Sequence, residues 1–508
     1  MRAGRDARAV SEQPGSTRRE ALSVGRSAMG GAGLLALTPG AASAATVPAG
    51  GIFALPFTRA SVPVPRDAPA VRTDGFAAAA DGGGALYRRV AAAPMHRGWF
   101  RSSDGAFWEM TEDAPSVRAF GAVGDGKVDD RAAIQAAIDF VGARGGGSVV
   151  IPVGRFRLNT VSAPDGTGPI ALWMKSGVRL QGIDRLRSVL VLADAQRGPG
   201  TFGRIIASGV LTDASIADFT LEANRAGQGA ERDATNGAAI MLGTAGAHVE
   251  RVRIENLVVR GANGQGIQVV GHPNAISRDV TIRGNRVEGS SFIGIQVSHF
   301  TDVSIDDNDI SDCRDNGIDI YGDNFTNNST APTSTQARIT RNRVRRCASG
   351  AFLETVADVD VHDNLFDGCR VMGVHVNRIH GEPSGITVAN NRITRTPIGV
   401  SITGDTGGVS FRDNNISRFT RAALQFGLDG QGNVSFVTAT ANVFDCRGVT
   451  CPVVLGDSPK GTLSWIRVVD NIVLGLPKPE QLFVNRFAIN NVVRVGNFIG
   501  VQSDLPRG

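Results

Sequence analysis

Most of the chain after about residue 245 alternates apolar and polar residues in short stretches that are interrupted once per repeat. Val280-Thr-Ile-Arg and Val303-Ser-Ile-Asp are two such stretches, and this period predicts half-buried β-strands. Glycine opens a second alternating stretch in many repeats, as in Gly294-Ile-Gln-Val and Gly373-Val-His-Val. Strands separated by regularly spaced turns predict an all-β solenoid, namely a parallel β-helix of about ten or more coils.

One phrase marks each repeat: an asparagine, any residue, then an apolar residue. Successive returns lie roughly 22 to 34 residues apart, a period typical of solenoids. Asparagine tolerates the left-handed turn conformation, and stacked asparagine amides can hydrogen-bond from coil to coil. The phrase begins at the following asparagines: Asn256, Asn285, Asn308, Asn342, Asn364, Asn391, Asn414 or Asn415, Asn442, Asn471 and Asn497.

The first 44 residues resemble an export signal. Arg18-Arg19 lies in a segment similar to the twin-arginine motif, an Ala/Gly/Leu-rich stretch follows, and Ala42-Ser43-Ala44 offers a cleavage site. We expect a folded protein to be exported to the periplasm or beyond. The alternative is a disordered basic tail.

Three regions are predicted. Residues 1–44 form the signal, and residues 45–115 form a linker or adaptor segment with short strands. Residues 116–508 form the β-helix. At its start, Ile134, Ala137, Ile138 and Val141 follow the spacing of an amphipathic helix that would cap the solenoid, with Asp129 or Asp130 as its N-cap.

Charge and hydropathy exclude two classes of partner. Removing the six arginines and three acids of residues 1–44 from the net charge of +5 leaves +2, which gives no case for nucleic-acid binding. After residue 45, no stretch is long and apolar enough to cross a membrane. The oligomeric state is not predicted.

The five cysteines fall into two groups. Cys313, Cys347 and Cys369 each follow a phrase asparagine by five residues, so we expect them to stack as small turn residues. A vertical disulfide, a metal site or a redox site in this stack is the alternative. Cys446 and Cys451 bracket a short loop and are the predicted disulfide.

Counting from the glycine before the second strand places chemically versatile residues side by side on an outward face. Neighbouring coils then bring Asp319, Glu354 and His375 together, with Asp319 to Glu354 a diagonal of roughly 8 Å and Asp319 to His375 about 10 Å. The first outward row is Gln268, Gln296, Asp319, Phe352, His375, Ser401 and Gln425. The second is Val270, Ser298, Tyr321, Glu354, Asn377 and Thr403.

Two mechanisms fit this face. In a hydrolase, Asp319 and Glu354 would be the acid and the base or nucleophile, oriented by His375. In a uronate lyase or epimerase, Tyr321 or His375 would remove the C5 proton while Arg378 or His299 neutralises the sugar carboxylate. The remaining substrate-binding candidates are Tyr321, Phe352, Asn377 and Gln296. Ordinary solvated positions are the alternative explanation.

No cofactor and no metal ligand is predicted for this site. Four acids crowd one turn, and oxygen-rich clusters of this kind can bind calcium. Surface turn chemistry is the simpler interpretation of the cluster, which comprises Asp306, Asp307, Asp309 and Asp312.

The segment that leads into the first coil resembles a known superfamily. The run from Phe120 through Gly124-Asp125-Gly126 to Asp139, followed by Gly145-Gly-Gly-Ser-Val-Val-Ile-Pro152, is similar to the opening of pectate-lyase-like proteins. These include relatives of family 28 glycoside hydrolases and tailspike-like depolymerases. The resemblance covers roughly residues 80 to 500 and implies a right-handed parallel β-helix that acts on polysaccharide.

These observations together predict an exported polysaccharide-active β-helix protein that cleaves glycosidic bonds as a hydrolase. A uronate polysaccharide lyase or epimerase is the first alternative. A non-catalytic carbohydrate-binding or envelope-structural solenoid is the second.

Overall fold

The strands stack into a right-handed parallel β-helix, as predicted. The computed structural model describes residues 52–501 except 59–62, 199–200, 230–236, 245, 323–333, 378–383, 428–432, 457–460, 477 and 486–487. The predicted signal, residues 1–44, lies outside the described residues. No described helix is long and apolar enough to span a membrane.

Three long sheets run along the solenoid, and each coil contributes one strand to each sheet in the order sheet 1, sheet 2, sheet 3. Neighbouring strands are parallel, except that Val161–Ser162 pairs antiparallel with Pro169–Trp173. The described strands of sheet 1 are Val161–Ser162, Pro169–Trp173, Arg204–Ser208, Ile240–Leu242, Ile267–Val270, Ile295–Ser298, Ile318–Tyr321, Ser349–Glu354, Met372–Asn377, Ile398–Ile402, Ala422–Phe426, Val454–Gly456 and Phe483–Asn485.

Sheet 2 contains the longest strands. Its described strands are Gly147–Ile151, Val178–Gly182, Leu211–Ala217, Val249–Glu255, Ser277–Arg283, Phe300–Asp306, Ser334–Thr340, Val356–His362, Ser384–Ala389, Thr406–Arg412, Val434–Thr440, Thr462–Val469 and Ala488–Val493. Those of sheet 3 are Asp125–Asp129, Gly154–Leu158, Ser188–Leu192, Thr220–Glu222, Val258–Arg260, Arg286–Glu288, Asp309–Ser311, Arg343–Arg345, Leu365–Asp367, Arg392–Thr394, Asn415–Ser417, Val443–Asp445, Ile472–Leu476 and Phe498–Val501.

The segment before the solenoid forms a separate sheet in the region predicted as an adaptor. Its five described strands are Phe53–Leu55, Ala70–Thr73, Leu86–Val90, Trp99–Arg101 and Phe107–Met110. A two-stranded hairpin (Arg197–Gly198 and Thr201–Phe202) and three short 3-10 helices (Val117–Phe120, Arg225–Gln228 and Pro479–Leu482) complete the described elements.

One α-helix, Arg131–Ala143, occurs in the described part of the chain and packs against early strands of all three sheets, namely Gly147–Ile151, Gly154–Leu158, Pro169–Trp173 and Val178–Gly182. Its apolar face is buried, as the spacing predicts. Asp130 is the N-cap residue, but its side chain does not cap the helix. The carboxylate accepts hydrogen bonds from the amides of Val123 and Gly124 instead, at 2.6 and 3.0 Å, and so fixes the preceding turn.

The asparagines form a buried ladder at the turn between sheets 2 and 3. In a representative rung, Asn391 Oδ1 accepts from the backbone and side-chain amides of Asn364, while Asn391 Nδ2 donates to Asn414 Oδ1 at 3.0 Å. Of the two predicted alternatives, Asn414 and Asn415, it is Asn414 that belongs to the ladder. The same contacts link Asn285, Asn308, Asn342, Asn364, Asn391, Asn414, Asn442, Asn471 and Asn497.

Two details of the predicted repeat are wrong. Asn256 is one residue out of phase, because Val258 pairs with Arg286 and Leu257 therefore stands opposite Asn285. The left-handed conformation belongs to the residue before each ladder asparagine, such as Asp413 (φ 56°), rather than to the asparagine itself.

The cysteines are all free thiols. Cys313, Cys347 and Cys369 are buried as predicted, and the contact between Cys313 and Cys347 together with burial raises the pKa of Cys313. The predicted Cys446–Cys451 disulfide is absent. Cys446 Sγ faces the carbonyl of Phe444 and Cys451 Sγ faces that of Phe419, so the two sulfurs are directed to different strands and turns.

Candidate functional site

The two predicted rows of outward side chains lie on sheet 1. Gln296 pairs with Asp319, Asp319 with Phe352, and Phe352 with His375, which confirms the predicted register across these coils. In the second row, Ser298, Tyr321, Glu354 and Asn377 pair in turn. The alternate residues point inward and are fully buried: Ile318, Ile320, Leu353, Val374 and Val376. The apolar alternation therefore fixes which face carries the polar groups.

A chain of hydrogen bonds joins His375 to Glu354. His375 Nε2 lies 2.9 Å from Thr403 Oγ1, which lies 2.6 Å from Asn377 Oδ1. Asn377 Nδ2 in turn donates to Glu354 Oε1 at 3.3 Å. Four residues from three consecutive coils are thus held as one network.

The direction of this chain assigns the protonation state of His375. The Asn377 amide presents its nitrogen to Glu354 and its oxygen to Thr403. The single hydroxyl proton of Thr403 then goes to Asn377, and Thr403 must accept from His375 Nε2. His375 consequently carries its proton on Nε2 and presents the lone pair of Nδ1.

The environment of His375 favours an uncharged ring. Burial lowers its pKa to about 4, because a charged imidazolium would be poorly solvated there. The Phe352 ring lies against it with centroids 4.6 Å apart and planes inclined by 31°. Phe352 therefore restricts the ring that Thr403 orients.

Asp319 has a different environment. Its side chain is only 5% exposed, and Asn316 Nδ2 donates to its Oδ2 at 3.0 Å. Burial raises the pKa of Asp319 to about 7, with the charge of nearby Asp315 adding to the rise. Asn316 and Gln296 offset part of this rise, yet Oδ1 is buried without a hydrogen bond of normal geometry. Asp319 is thus a carboxyl group that can hold a proton near neutral pH.

His299 and Tyr321 form an edge-to-face pair with ring centroids 5.7 Å apart. Burial, with a smaller contribution from His272, lowers the pKa of His299 to about 4. His299 is therefore uncharged at neutral pH. Tyr321 is partly exposed at the end of its strand.

Gln296 is a structural neighbour of this group. Its Oε1 accepts from Gln268 Nε2 at 2.8 Å and from Gln265 Nε2 at 3.0 Å. The remaining predicted residue, Arg378, follows Asn377 directly in the sequence and lies outside the described residues. Residues 323–333, which follow Tyr321 and Gly322, also lie outside them.

Two residues of the site were not singled out from the sequence. Thr403 belongs to the predicted second row, but its role as the link between His375 and Asn377 requires side-chain distances. Asn316 immediately precedes Gly317, where the equivalent residues of other coils include Ile293 and Ser349. A polar residue at a variable turn position carries no distinctive sequence signal.

The carboxylates of the acidic cluster, Asp306, Asp307, Asp309 and Asp312, form ion pairs with arginines. Arg341 pairs with both Asp306 and Asp307, Arg345 donates to Asp309 at 2.8 Å, and Arg346 donates to Asp312 at 2.6 Å. Among the described residues, no group of three or more His, Cys, Asp or Glu side chains is arranged to hold a metal ion.

The family model described as "Right handed beta helix region" matches residues 212–378 and 327–477, which together span more than half of the chain. The chain belongs to the right-handed β-helix family. A second model, "Rhamnogalacturonase A/epimerase, pectate lyase-like", matches residues 114–182, the entry segment on which the pectate-lyase-like resemblance depends.

The chain is also similar in sequence to a mannuronan C5-epimerase and to an alginate lyase. Mannuronan C5-epimerase AlgE4 of Azotobacter vinelandii is 33% identical over 194 residues, 38% of this chain and 34% of that protein. Alginate lyase 7 of the same organism is 40% identical over 111 residues, 22% of this chain and 13% of that protein. The chain thus spans about a third or less of these relatives.

The fold is also seen in a solved structure of a polysaccharide enzyme. The family 28 exopolygalacturonase of Yersinia enterocolitica superposes with a TM-score of 0.57 at 13% identity, covering 81% of this chain and 83% of that one. This likeness supports the pectate-lyase-like fold.

Proposed function

We propose that this β-helix protein removes the C5 proton of a uronic-acid residue in a polysaccharide, acting as a lyase or a C5-epimerase. The observation that carries the proposal is the uncharged His375, held by Thr403 with Nδ1 free of that network, on the same sheet face as Asp319, a carboxyl group that can be protonated at neutral pH. The likeness to a mannuronan C5-epimerase and an alginate lyase supports uronate chemistry over the hydrolase hypothesis.

The first requirement is a base. The C5 hydrogen of a uronate becomes acidic only when the negative charge that develops on the adjacent carboxyl group is stabilised. In our proposal His375 Nδ1 accepts this proton, because its Nε2 is already committed to Thr403. The negative charge of the bound uronate would raise the basicity of the imidazole above its value in the free protein.

The second requirement is a donor for the sugar carboxylate. In our proposal, protonated Asp319 supplies a hydrogen bond without adding negative charge, and binding of the sugar must expose its buried Oδ1. Uncharged His299 is unsuited to act as the neutralising cation and instead positions Tyr321. Arg378, adjacent to Asn377 in the sequence, remains a candidate cation.

The third step decides the product. Departure of the C4 glycosidic oxygen with its bonding electrons, protonated by Tyr321, gives a double bond between C4 and C5 and a broken chain. Return of a proton to C5 from the opposite face gives the epimer with an intact chain. Both routes begin with the same C–H cleavage, so loss of the H5 signal tests the shared step, whereas deuterium at C5 marks epimerisation and unsaturated ends mark elimination.

Hydrolysis by Asp319 and Glu354 is the second candidate. The pKa of Asp319, raised by burial to about 7, suits a general acid, and the register places Glu354 diagonally across from it. A hydrolase would release reducing ends without unsaturation and without exchange at C5.

The experiment is incubation of the purified protein with polymannuronate in deuterium oxide. Proton NMR would measure loss of the H5 signal, ultraviolet absorbance would measure unsaturated ends, and a reducing-end assay would measure chain breaks. We expect wild type to lose the H5 signal, through deuterium at C5 for an epimerase or through unsaturated ends for a lyase, and we expect His375→Gln to show neither. Reducing ends alone would favour hydrolysis, and binding without any product from a panel of polyuronates would favour a non-catalytic solenoid.

His362→Gln is the matched control, because it makes the same substitution on the outward face of sheet 2. It should leave exchange unchanged. Circular dichroism of both variants separates loss of chemistry from loss of fold.

We also propose that the protein acts outside the cytoplasm. The support is the Arg18-Arg19 segment and the small residues that follow it at Ala42-Ser43-Ala44. Replacement of both arginines by lysine should retain the protein in the cytoplasmic fraction, and unchanged export would contradict the proposal.

A further inference from the structure

A groove on sheet 3 is lined mainly by arginines and hydrogen-bonding side chains. It has a volume of about 490 Å³ and lies on a different sheet from the candidate site. Its lining comprises Arg343, Leu365, Asp367, Arg392, Thr394, Arg395, Asn415, Ser417, Arg418 and Asp445. Four arginines and two aspartates give it an excess of positive charge.

Three of these arginines are unpaired. Arg343, Arg392 and Arg418 are exposed, and none makes a side-chain hydrogen bond or ion pair with another described residue. Other arginines of the same sheet differ. Arg260 and Arg286 both pair with Glu288 in earlier coils, and Arg345, in the same strand as Arg343, pairs with Asp309. The positive charge of these arginines is therefore neutralised, whereas that of the three groove arginines is available.

The two acids of the groove are already engaged. Arg395 binds Asp367 through two hydrogen bonds, and Arg447 binds Asp445 at 2.9 and 2.7 Å. The hydrogen bonds from Arg447, with a smaller contribution from Arg418, lower the pKa of Asp445. Both acids are engaged by Arg395 and Arg447, so they form no ion pair with the three unpaired arginines.

The spacing suits a linear polymer. Arg343, Leu365 and Arg392 occupy the same register position in three consecutive strands. The strands that carry Arg343 and Arg392 are therefore two coils apart, about 10 Å along the axis of the solenoid. A ligand that repeats its charge along one direction can contact both, whereas a small anion can contact only one.

The remaining side chains favour a sugar. Thr394, Asn415 and Ser417 present hydroxyl and amide groups, and Ser417 Oγ lies 3.0 Å from Thr394 Oγ1. The lining contains no aromatic residue on which a nucleobase could stack. Arginine forks match carboxylates, and hydroxyl or amide groups match sugar hydroxyls.

We propose that this groove is a second binding site for an acidic, carboxylate-bearing polysaccharide, separate from the site on sheet 1. The choice of a uronate chain as ligand rests on the proposed function. A site one sheet away would hold a long substrate between reaction events, because a tethered chain has a higher effective concentration at the active face.

The test is binding of polymannuronate to the full chain, measured by isothermal titration calorimetry at low and high salt. The triple variant Arg343→Gln, Arg392→Gln, Arg418→Gln should bind about tenfold more weakly, since three exposed ion pairs are lost. The affinity of wild type should also fall as salt rises.

The matched control is the triple variant Arg260→Gln, Arg286→Gln, Arg345→Gln. It removes the same charge from the same sheet but takes arginines that are already paired. It should bind like wild type. Equal weakening of both triple variants would indicate general electrostatics and overturn the groove, as would wild-type affinity of the groove variant.

Two further measurements separate this inference from the proposed function. Single-stranded DNA should not compete with polymannuronate, and groove-dependent DNA binding would overturn the assignment to a sugar. C5 exchange is measured in parallel. If exchange occurs but the groove variant binds polymannuronate as tightly as wild type, only the proposed groove site is overturned. Groove-dependent binding without C5 exchange and without unsaturated ends overturns the catalytic proposal alone.

Discussion

Thr403 Oγ1 lies 2.9 Å from His375 Nε2 and determines which nitrogen of that ring carries the proton. The same hydroxyl is 2.6 Å from Asn377 Oδ1, so its own proton is committed. One small side chain at the end of a strand therefore sets the tautomer of the candidate base and the orientation of the neighbouring amide.

Thr403→Val should slow C5 exchange about fivefold. The variant keeps the shape of the side chain but removes one hydrogen-bond acceptor for His375, worth about 1 kcal/mol. Thr403→Ser should restore the rate, because it retains the hydroxyl. Initial rates of deuterium incorporation into polymannuronate measure the effect, and equal rates for the valine and serine variants would rule out Thr403 as a positioning residue.

His375→Gln should reduce the rate of exchange by a factor of about 10² to 10⁴, the usual contribution of a positioned general base. Substrate binding should change much less, because Phe352, Tyr321 and Asn377 remain in place. Separate determination of kcat and KM tests this. A variant with wild-type kcat would exclude His375 as the base and direct attention to Tyr321.

Much of this site follows from the sequence because sheet residues alternate strictly between faces. The buried Ile318 and Ile320 fix the orientation of Asp319 and Tyr321, and the glycine of each coil aligns one strand with the next. The asparagine ladder was predictable for the same reason, since its members recur at one phase.

The failures have a common physical cause: they concern contacts between side chains rather than the period of the backbone. Asn256 satisfies the sequence phrase but is shifted by one residue, because Leu257 occupies the ladder position. Asp319 was expected on an open face, yet neighbouring side chains bury it and raise its pKa. Cys446 and Cys451 are close in sequence, but their sulfurs face different carbonyl groups.

Asp319 should make stability depend on pH. Its folded pKa of about 7 lies above the ordinary value of 3.8, so the folded state holds this proton more tightly than the unfolded chain. The resulting stabilisation is fully present below pH about 4 and is lost as pH rises to about 7. Asp319→Asn mimics the neutral acid at every pH.

The free energy of unfolding of Asp319→Asn relative to wild type should therefore rise by about 2–4 kcal/mol between pH 4 and 7 and then level off. The difference between the two proteins cancels the contributions of groups that titrate in both of them. One such group is His375, whose lowered pKa makes the folded state more stable as pH rises. Denaturant unfolding across this range measures the difference. Parallel curves for the two proteins would show that Asp319 is not protonated in the folded state.

Asn391→Ala should destabilise the solenoid by about 2–4 kcal/mol, because it leaves buried polar groups in two neighbouring coils without partners. Asn391 Oδ1 accepts from both amides of Asn364, and Asn391 Nδ2 donates to Asn414 Oδ1 and to the carbonyl of Val361 at 2.8 Å. The matched control is Asn390→Gly at the adjacent exposed position, where φ is 54° and glycine is unstrained. Denaturant unfolding should show a change of less than about 0.5 kcal/mol for this control. If the two variants unfolded alike, the stability of these coils would reside in their apolar core rather than in the asparagine ladder.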